Sequence, residues 1–133
     1  MLGEEYRPAP YSKEYVESTL RRLSCLGPSK VVLTGVAFDG RQVGSASYDR
    51  STDEISYALS DTVDGYFHGT GDVFASALLG AYMNGLSLAE SARIAVDYTH
   101  GCIVRTKEAD TDLRYGVDFE HGIPDLLRQT GII

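Results

Sequence analysis

From Thr70 to Asn84 the chain reads TGDVFASALLGAYMN, an apolar and small-residue run that a glycine pair opens and Gly85 closes. A run of this length with Phe74, Leu78, Ala81 and Tyr82 recurring on one side predicts a helix, and Gly85 is a natural stop. Ser87 follows as an N-cap for a second long helix over 88–107, with Leu88, Ala92, Ala95, Val96, Thr99 and Ile103 as its buried stripe. Two consecutive apolar helices need a surface to cover, and the segments able to supply a sheet lie upstream.

Upstream, Ser12 caps a predicted helix over 13–27 in which Val16, Leu20 and Leu23 share a face, and Gly27-Pro28 ends it. The next segment, 30-KVVLTGV-36, is apolar and β-branched throughout, which predicts a strand buried on both faces in a parallel or mixed sheet. Asp39-Gly40 signals a hairpin turn, followed by strand candidates 42–49 and 54–60, the first weakened by Gly44. Residues 1–11 read as irregular because of Pro8 and Pro10, and 108–122 as a polar loop. Pro124 opens a short helix over 124–130. The expectation is an α/β layer with helices on a sheet that has too few strands to be a whole doubly wound domain.

The length, 133 residues, suits one domain. A formal charge of −7 argues against a nucleic-acid partner but not against a nucleotide, whose phosphates a few local N–H groups can hold. Cys25 and Cys102 form no CxxC pair, so neither a disulfide framework nor a zinc site is expected. No apolar run is long enough to cross a membrane, and the acidic start lacks the features of a secretory signal, which predicts a cytoplasmic protein.

The chemistry concentrates at 69-GTGD-72. Gly69 and Gly71 let the backbone turn sharply and approach a ligand, and the free N–H groups of the first helical turn point at any anion there. Asp72 has two readings: an acid that offsets the positive end of the helix dipole, or a positioned base beside a bound anion. No Walker A pattern occurs. The histidines His68, His100 and His121 lack metal-ligand spacing, and Asp61 and Asp64 read as a solvated loop. Arg105 and Lys107 read as cations closing a helix, with nucleotide contact as the other reading.

The block 68-HGTGDVFASA-77 resembles the C-terminal signature of the ribokinase-like superfamily, and within it pyridoxal (pyridoxine, pyridoxamine) kinases. The likeness extends to 30-KVVLTGV-36 and 103-IVRTKEA-109, and covers the C-terminal half of such a kinase. It implies a three-layer α/β/α fold present as a C-terminal portion, residues 1–133, with an incomplete sheet. It implies ATP-dependent phosphorylation of the 5′-hydroxymethyl group of a B6 vitamer in vitamin B6 salvage. Asp72 would be the catalytic base, and Gly69, Thr70 and Gly71 the anion hole for the transferring phosphoryl group. Thr34 and Gly35 would lie near the ATP phosphates, although Thr34 also reads as a simple strand end. Val63, Phe67 and Ile103 would surround adenine.

The resemblance further implies Mg²⁺ and a monovalent cation as cofactors. An Asn-x-x-Glu element tied to magnesium is expected upstream of Met1, so no metal ligand is assigned within the chain. Hydroxymethylpyrimidine kinases of the superfamily typically carry cysteine at the position of Asp72, which favours the pyridoxal branch. Sugar kinases show a GAGD-like form that 66-YFHGTGD-72 departs from. The alternatives are one of those kinases or a non-catalytic fragment that binds nucleotide or pairs with another subunit. As a fragment the chain is expected to lack kinase activity by itself and to form a homodimer or self-associate through exposed edges.

Overall fold

The computed structural model describes residues 1–133. These divide into two compact units, Met1–Thr62 and Val63–Ile133.

The first unit holds helix α1 (Lys13–Ser24) and strands β1 (Lys30–Val36), β2 (Gln42–Asp49) and β3 (Glu54–Asp61). Ser12 caps α1 as its sequence predicts, its side chain accepting the Tyr15 N–H at 3.1 Å. At the far end Ser24 donates to the Pro28 carbonyl at 2.8 Å, and Arg50 Nη1 donates to the freed Ser24 carbonyl at 3.0 Å. Val16 and Leu20, one turn apart, are buried, and Leu23 is half-buried.

The sheet is a meander in the order β1-β2-β3, antiparallel at both pairings. Asp39 shapes the first turn by accepting the N–H groups of Arg41 and Gln42. The α1 face of the sheet carries Val31, Leu33, Ala46, Tyr48, Ile55 and Tyr57, which pack with Val16, Leu20 and Val36. The register gives the opposite face small residues, with Thr34 beside Ser45, Ser45 beside Ala58 and Ser47 beside Ser56.

Strand β1 departs from its sequence reading. It is antiparallel to β2 and stands at the edge of the sheet. Its residues are half-buried or exposed except Val36. An apolar β-branched run reports how much burial a strand can use, not which neighbours this chain provides.

The second unit holds α2 (Thr70–Met83), α3 (Leu88–Ala109) and α4 (Ile123–Gln129). Helices α2 and α3 pack along each other. Gly85, with φ of +90°, turns the chain between them. Ser87 and Glu90 then form a capping box, with Glu90 N–H to Ser87 Oγ at 3.2 Å and Ser87 N–H to Glu90 Oε2 at 2.9 Å.

The buried face of α2 is Phe74, Ala77 and Ala81. Leu78 is half-buried and Tyr82 exposed, a small rotation from the predicted stripe that turns alanines rather than a tyrosine inward. On α3 the buried residues are Ser91, Ala92, Ala95, Val96, Cys102 and Thr106, whereas Leu88, Thr99 and Ile103 are half-buried. Small side chains on both helices allow the close approach. Beyond α3, 3-10 turns at Leu113–Tyr115 and Glu120–Gly122 replace the expected loop, and Pro124 sits in the first turn of α4 as predicted.

Candidate functional site

The Gly69–Asp72 turn is built by the approach to α2. Gly69 is the N-cap of the helix and adopts the left-handed conformation, with φ of +83° and ψ of 1°. A side chain is strained there, which accounts for glycine. The first intrahelical bond runs from the Val73 N–H to the Gly69 carbonyl at 3.0 Å.

No side chain caps the helix, so the N–H groups of Thr70, Gly71 and Asp72 have no partner within the chain. A Cβ placed on either Gly69 or Gly71 would meet nothing within 4 Å. The turn is therefore an open cradle of unpaired donors at the positive end of a 14-residue helix. Asp72, exposed in the first turn, brings a carboxylate to the same place. Its side chain makes no bond that caps the helix, so dipole compensation does not use up its oxygens.

The preceding loop is shaped by aromatic packing. The Tyr66 and His68 rings meet edge-on with centroids 5.0 Å apart, and the Phe67 ring lies against Gly65. Val63 and Phe67 on this loop are half-buried, as is Ile103 in the middle of α3.

Thr34 and Gly35 belong to the first unit, where they form a β-bulge. Thr34 pairs with Ser45 and Val36 with Gly44, leaving Gly35 as the extra residue with φ of +67°. Both are exposed. A cavity of about 310 Å³ in this unit is lined by the N-terminal residues Met1–Arg7 together with Tyr11, Tyr15, Leu33 and Thr34. Thr34 is its one residue from the predicted set. Neither Gly69 nor Asp72 lines it.

Sequence reasoning took Arg105 for a cation near a helix end. Its guanidinium instead lies against the 118–122 segment, donating to the Asp118 carbonyl at 3.1 Å, while Lys107 is exposed. The cluster of Tyr98, Arg105, Thr106 and Asp118 carries no spacing that would have revealed it, because the partner groups are mostly backbone carbonyls. Nearby, the Asp118 carboxyl is held below its usual range by the hydrogen bond from His121. Burial pushes the Cys102 thiol up. No group of three or more His, Cys, Asp or Glu side chains is placed to hold a metal ion. No helix is long and apolar enough to cross a membrane.

Known proteins share this fold. The family model for phosphomethylpyrimidine kinase matches residues 5–116. Among solved structures, a Bacteroides thetaiotaomicron protein provisionally assigned as a phosphomethylpyrimidine kinase is 26% identical. It superimposes with a TM-score of 0.83 over 88% of this chain and 40% of its own. A second crystal form of that assignment, with pyridoxal, gives 0.81 at 26% identity over 90% of this chain and 42% of its own. Pyridoxal kinase from Lactobacillus plantarum gives 0.81 at 25% identity over 96% of this chain and 45% of its own. No curated protein matches.

The chain thus spans less than half the length of the structures it resembles. Its α/β architecture, an antiparallel three-stranded sheet with helices, corresponds to part of these ribokinase-like kinases. With the match extending over most of its residues, the chain belongs to the phosphomethylpyrimidine kinase family.

Proposed function

We propose that this chain is the phosphoryl-handling portion of an ATP-dependent kinase that phosphorylates the 5′-hydroxymethyl group of a B6 vitamer, a cytoplasmic salvage reaction. The observation that carries the reading is the cradle itself: three unpartnered N–H groups at the left-handed Gly69 turn, with Asp72 beside them.

Phosphoryl transfer asks a protein mainly to position its reactants and to stabilise negative charge spread over the equatorial oxygens. Backbone donors do this without reorganising, because the helix already fixes their direction. In this reading Gly69, Thr70 and Gly71 receive the phosphoryl oxygens, and Asp72 takes the proton of the acceptor hydroxyl as the new P–O bond forms. The proposal keeps ATP contacts for Thr34, Gly35, Val63, Phe67 and Ile103. In this reading Mg²⁺ and a monovalent cation accompany ATP, with the Mg²⁺ ligands in the remaining part of such a kinase.

The pyridoxal reading draws support from Asp72, from the pyridoxal kinase likeness and from the relative crystallised with pyridoxal. The second reading, a hydroxymethylpyrimidine kinase, draws support from the name of the matching family model. Because the chain spans under half of its relatives, we propose that it binds phosphate groups alone but transfers none without the remaining part of such a kinase.

Titrating the 133-residue chain with inorganic phosphate and ATP, followed through the Gly69 and Gly71 amide resonances, tests the cradle. Resonances that stay fixed in both titrations would remove its support. A radiolabelled-ATP assay with pyridoxal and hydroxymethylpyrimidine then decides the rest. Transfer by the isolated chain would overturn the partial-enzyme reading. Preference for the pyrimidine in a longer protein containing this chain would establish the second one.

A further inference from the structure

Helix α3 grips the segment that follows it at three points. The Thr106 hydroxyl oxygen accepts the Asp118 N–H at 2.8 Å and donates its own proton to the Cys102 carbonyl at 2.7 Å. Arg105 Nη2 donates to the Asp118 carbonyl at 3.1 Å and lies 3.4 Å from Cys102 Sγ. The Tyr98 hydroxyl donates to the Phe119 carbonyl at 2.6 Å.

These groups are mostly shielded from water. Thr106 is 2% exposed and Cys102 fully buried, and Arg105 Nε is buried with no partner. An arginine nitrogen left unsatisfied is costly, so the contacts of the Arg105 guanidinium carry a penalty as well as a gain.

The gripped segment continues back to the anion cradle. Val117 is buried, which fixes the strap from within, and Gly116 next to it has φ of +80°. A Cβ on Gly116 would stand 3.6 Å from the His68 carbonyl oxygen, so the backbone at 116 passes close to the residue preceding Gly69. Asp118, Gly116, His68 and Gly69 therefore form a line of neighbouring backbone from α3 to the start of α2.

Building on the kinase reading above, we propose that Thr106 and Arg105 are positioning residues that set the aim of the phosphoryl-binding N–H groups through the 116–118 strap. Neither touches the cradle. Their hydrogen bonds hold the strap, the strap backs His68, and His68 fixes the entry angle of the Gly69 turn. A small rotation at φ of +83° would swing the first-turn donors away from a phosphoryl group, and misplacement on this scale is expensive in phosphoryl transfer.

The test is Thr106→Val, which keeps shape and β-branching but removes the hydroxyl, with Thr106→Ser returning it. In the 133-residue chain, Thr106→Val is expected to retain its far-UV signal and the Ser87–Glu90 amide resonances. It is also expected to shift the Gly69, Thr70 and Gly71 resonances before any ligand is added. Inorganic phosphate binding read at those resonances should weaken about tenfold, and Thr106→Ser should restore both readouts. If Thr106→Val does not fold, Arg105→Lys is scored on the same resonances, because an ammonium cannot reproduce the planar guanidinium contacts. A folded variant that loses stability while its Gly69–Gly71 resonances stay fixed overturns the proposal and leaves Thr106 a purely structural residue. A wild-type cradle that ignores phosphate overturns the kinase reading alone, since the ligand-free shift still decides this one.

Discussion

Gly44 on β2 and Ala58 on β3 run past each other so closely that a Cβ on Gly44 would fall inside the van der Waals surface of the Ala58 carbonyl oxygen. It would also stand 2.9 Å from the Ala58 carbonyl carbon and the Leu59 Cα. All of these are backbone atoms, which cannot swing aside. Gly44→Ala is therefore expected to destabilise the Met1–Thr62 unit by about 2 kcal/mol, as overpacking does. Urea unfolding followed by far-UV circular dichroism measures it, and an unchanged midpoint would contradict the close approach.

The two glycines of the cradle should separate stability from binding. At Gly69, with φ of +83°, alanine forces a left-handed residue and should cost about 1–2 kcal/mol. At Gly71, inside α2 and facing open space, alanine should leave stability unchanged or raise it by up to about 1 kcal/mol. Yet its methyl group enters the space a phosphate would use. Thermal melts paired with phosphate titration should show Gly71→Ala folded but binding less.

Replacing Asp72 by asparagine tests the base directly. The side chain is exposed and makes no capping bond, so the fold should be unaffected. Phosphate and ATP binding should persist, whereas turnover in a kinase containing this chain should fall about 10²–10⁴-fold. Steady-state kinetics with kcat and KM separated provide the check, and unchanged kcat would remove Asp72 from the chemistry.

Tyr57 supplies a pH signature for the first unit. Burial, and then the Glu17 carboxylate that accepts its hydroxyl at 3.1 Å, push its phenol from 10.0 up to about 12. A raised phenol stabilises the fold in its protonated form. That contribution is whole below pH 10 and is lost as pH rises through about 12. Tyr48 and Tyr98 are also raised, so ultraviolet titration should show several late tyrosines. Glu17→Gln should move the Tyr57 part down but not fully to its ordinary value, because burial is the larger cause.

Association should depend on the outer side of α2, where Leu79 is 61% and Met83 74% exposed on a helix with no polar face. Exposed apolar side chains on such a helix, together with the open edge of β1, favour self-association. Sedimentation velocity should show concentration-dependent association that Leu79→Lys combined with Met83→Lys reduces. Monomeric behaviour of the wild type at all concentrations would count against it.

Much of this was legible in the residues. Ser12, Ser87, Gly85 and Pro124 each announce a helix boundary through local chemistry, and the structure puts boundaries there. The Gly69–Asp72 turn was equally visible, since a left-handed glycine before an apolar helix is a local event. The antiparallel pairing of β1 with β2 was not legible, because a strand's neighbours are a long-range property and the same apolar run serves a central or an edge strand. Gly44 looked like a weak point in β2, whereas the close passage of Ala58 requires it. The α3 grip on Asp118 was invisible for a related reason: hydrogen bonds to backbone carbonyls leave no pattern in side-chain identity.

The meander and the helical hairpin bear on how the chain reaches this structure. Strand β2 pairs with the strands immediately before and after it, across residues 37–41 and 50–53, and α2 meets α3 across residues 84–87. Closing such short loops costs little chain entropy, and packing between sequence neighbours is the pattern associated with fast folding. Each unit can thus assemble as it leaves the ribosome, with its helix or strand partners already synthesised. The order of synthesis then matches the order of packing, since β1, β2 and β3 all precede Gly69 in the chain.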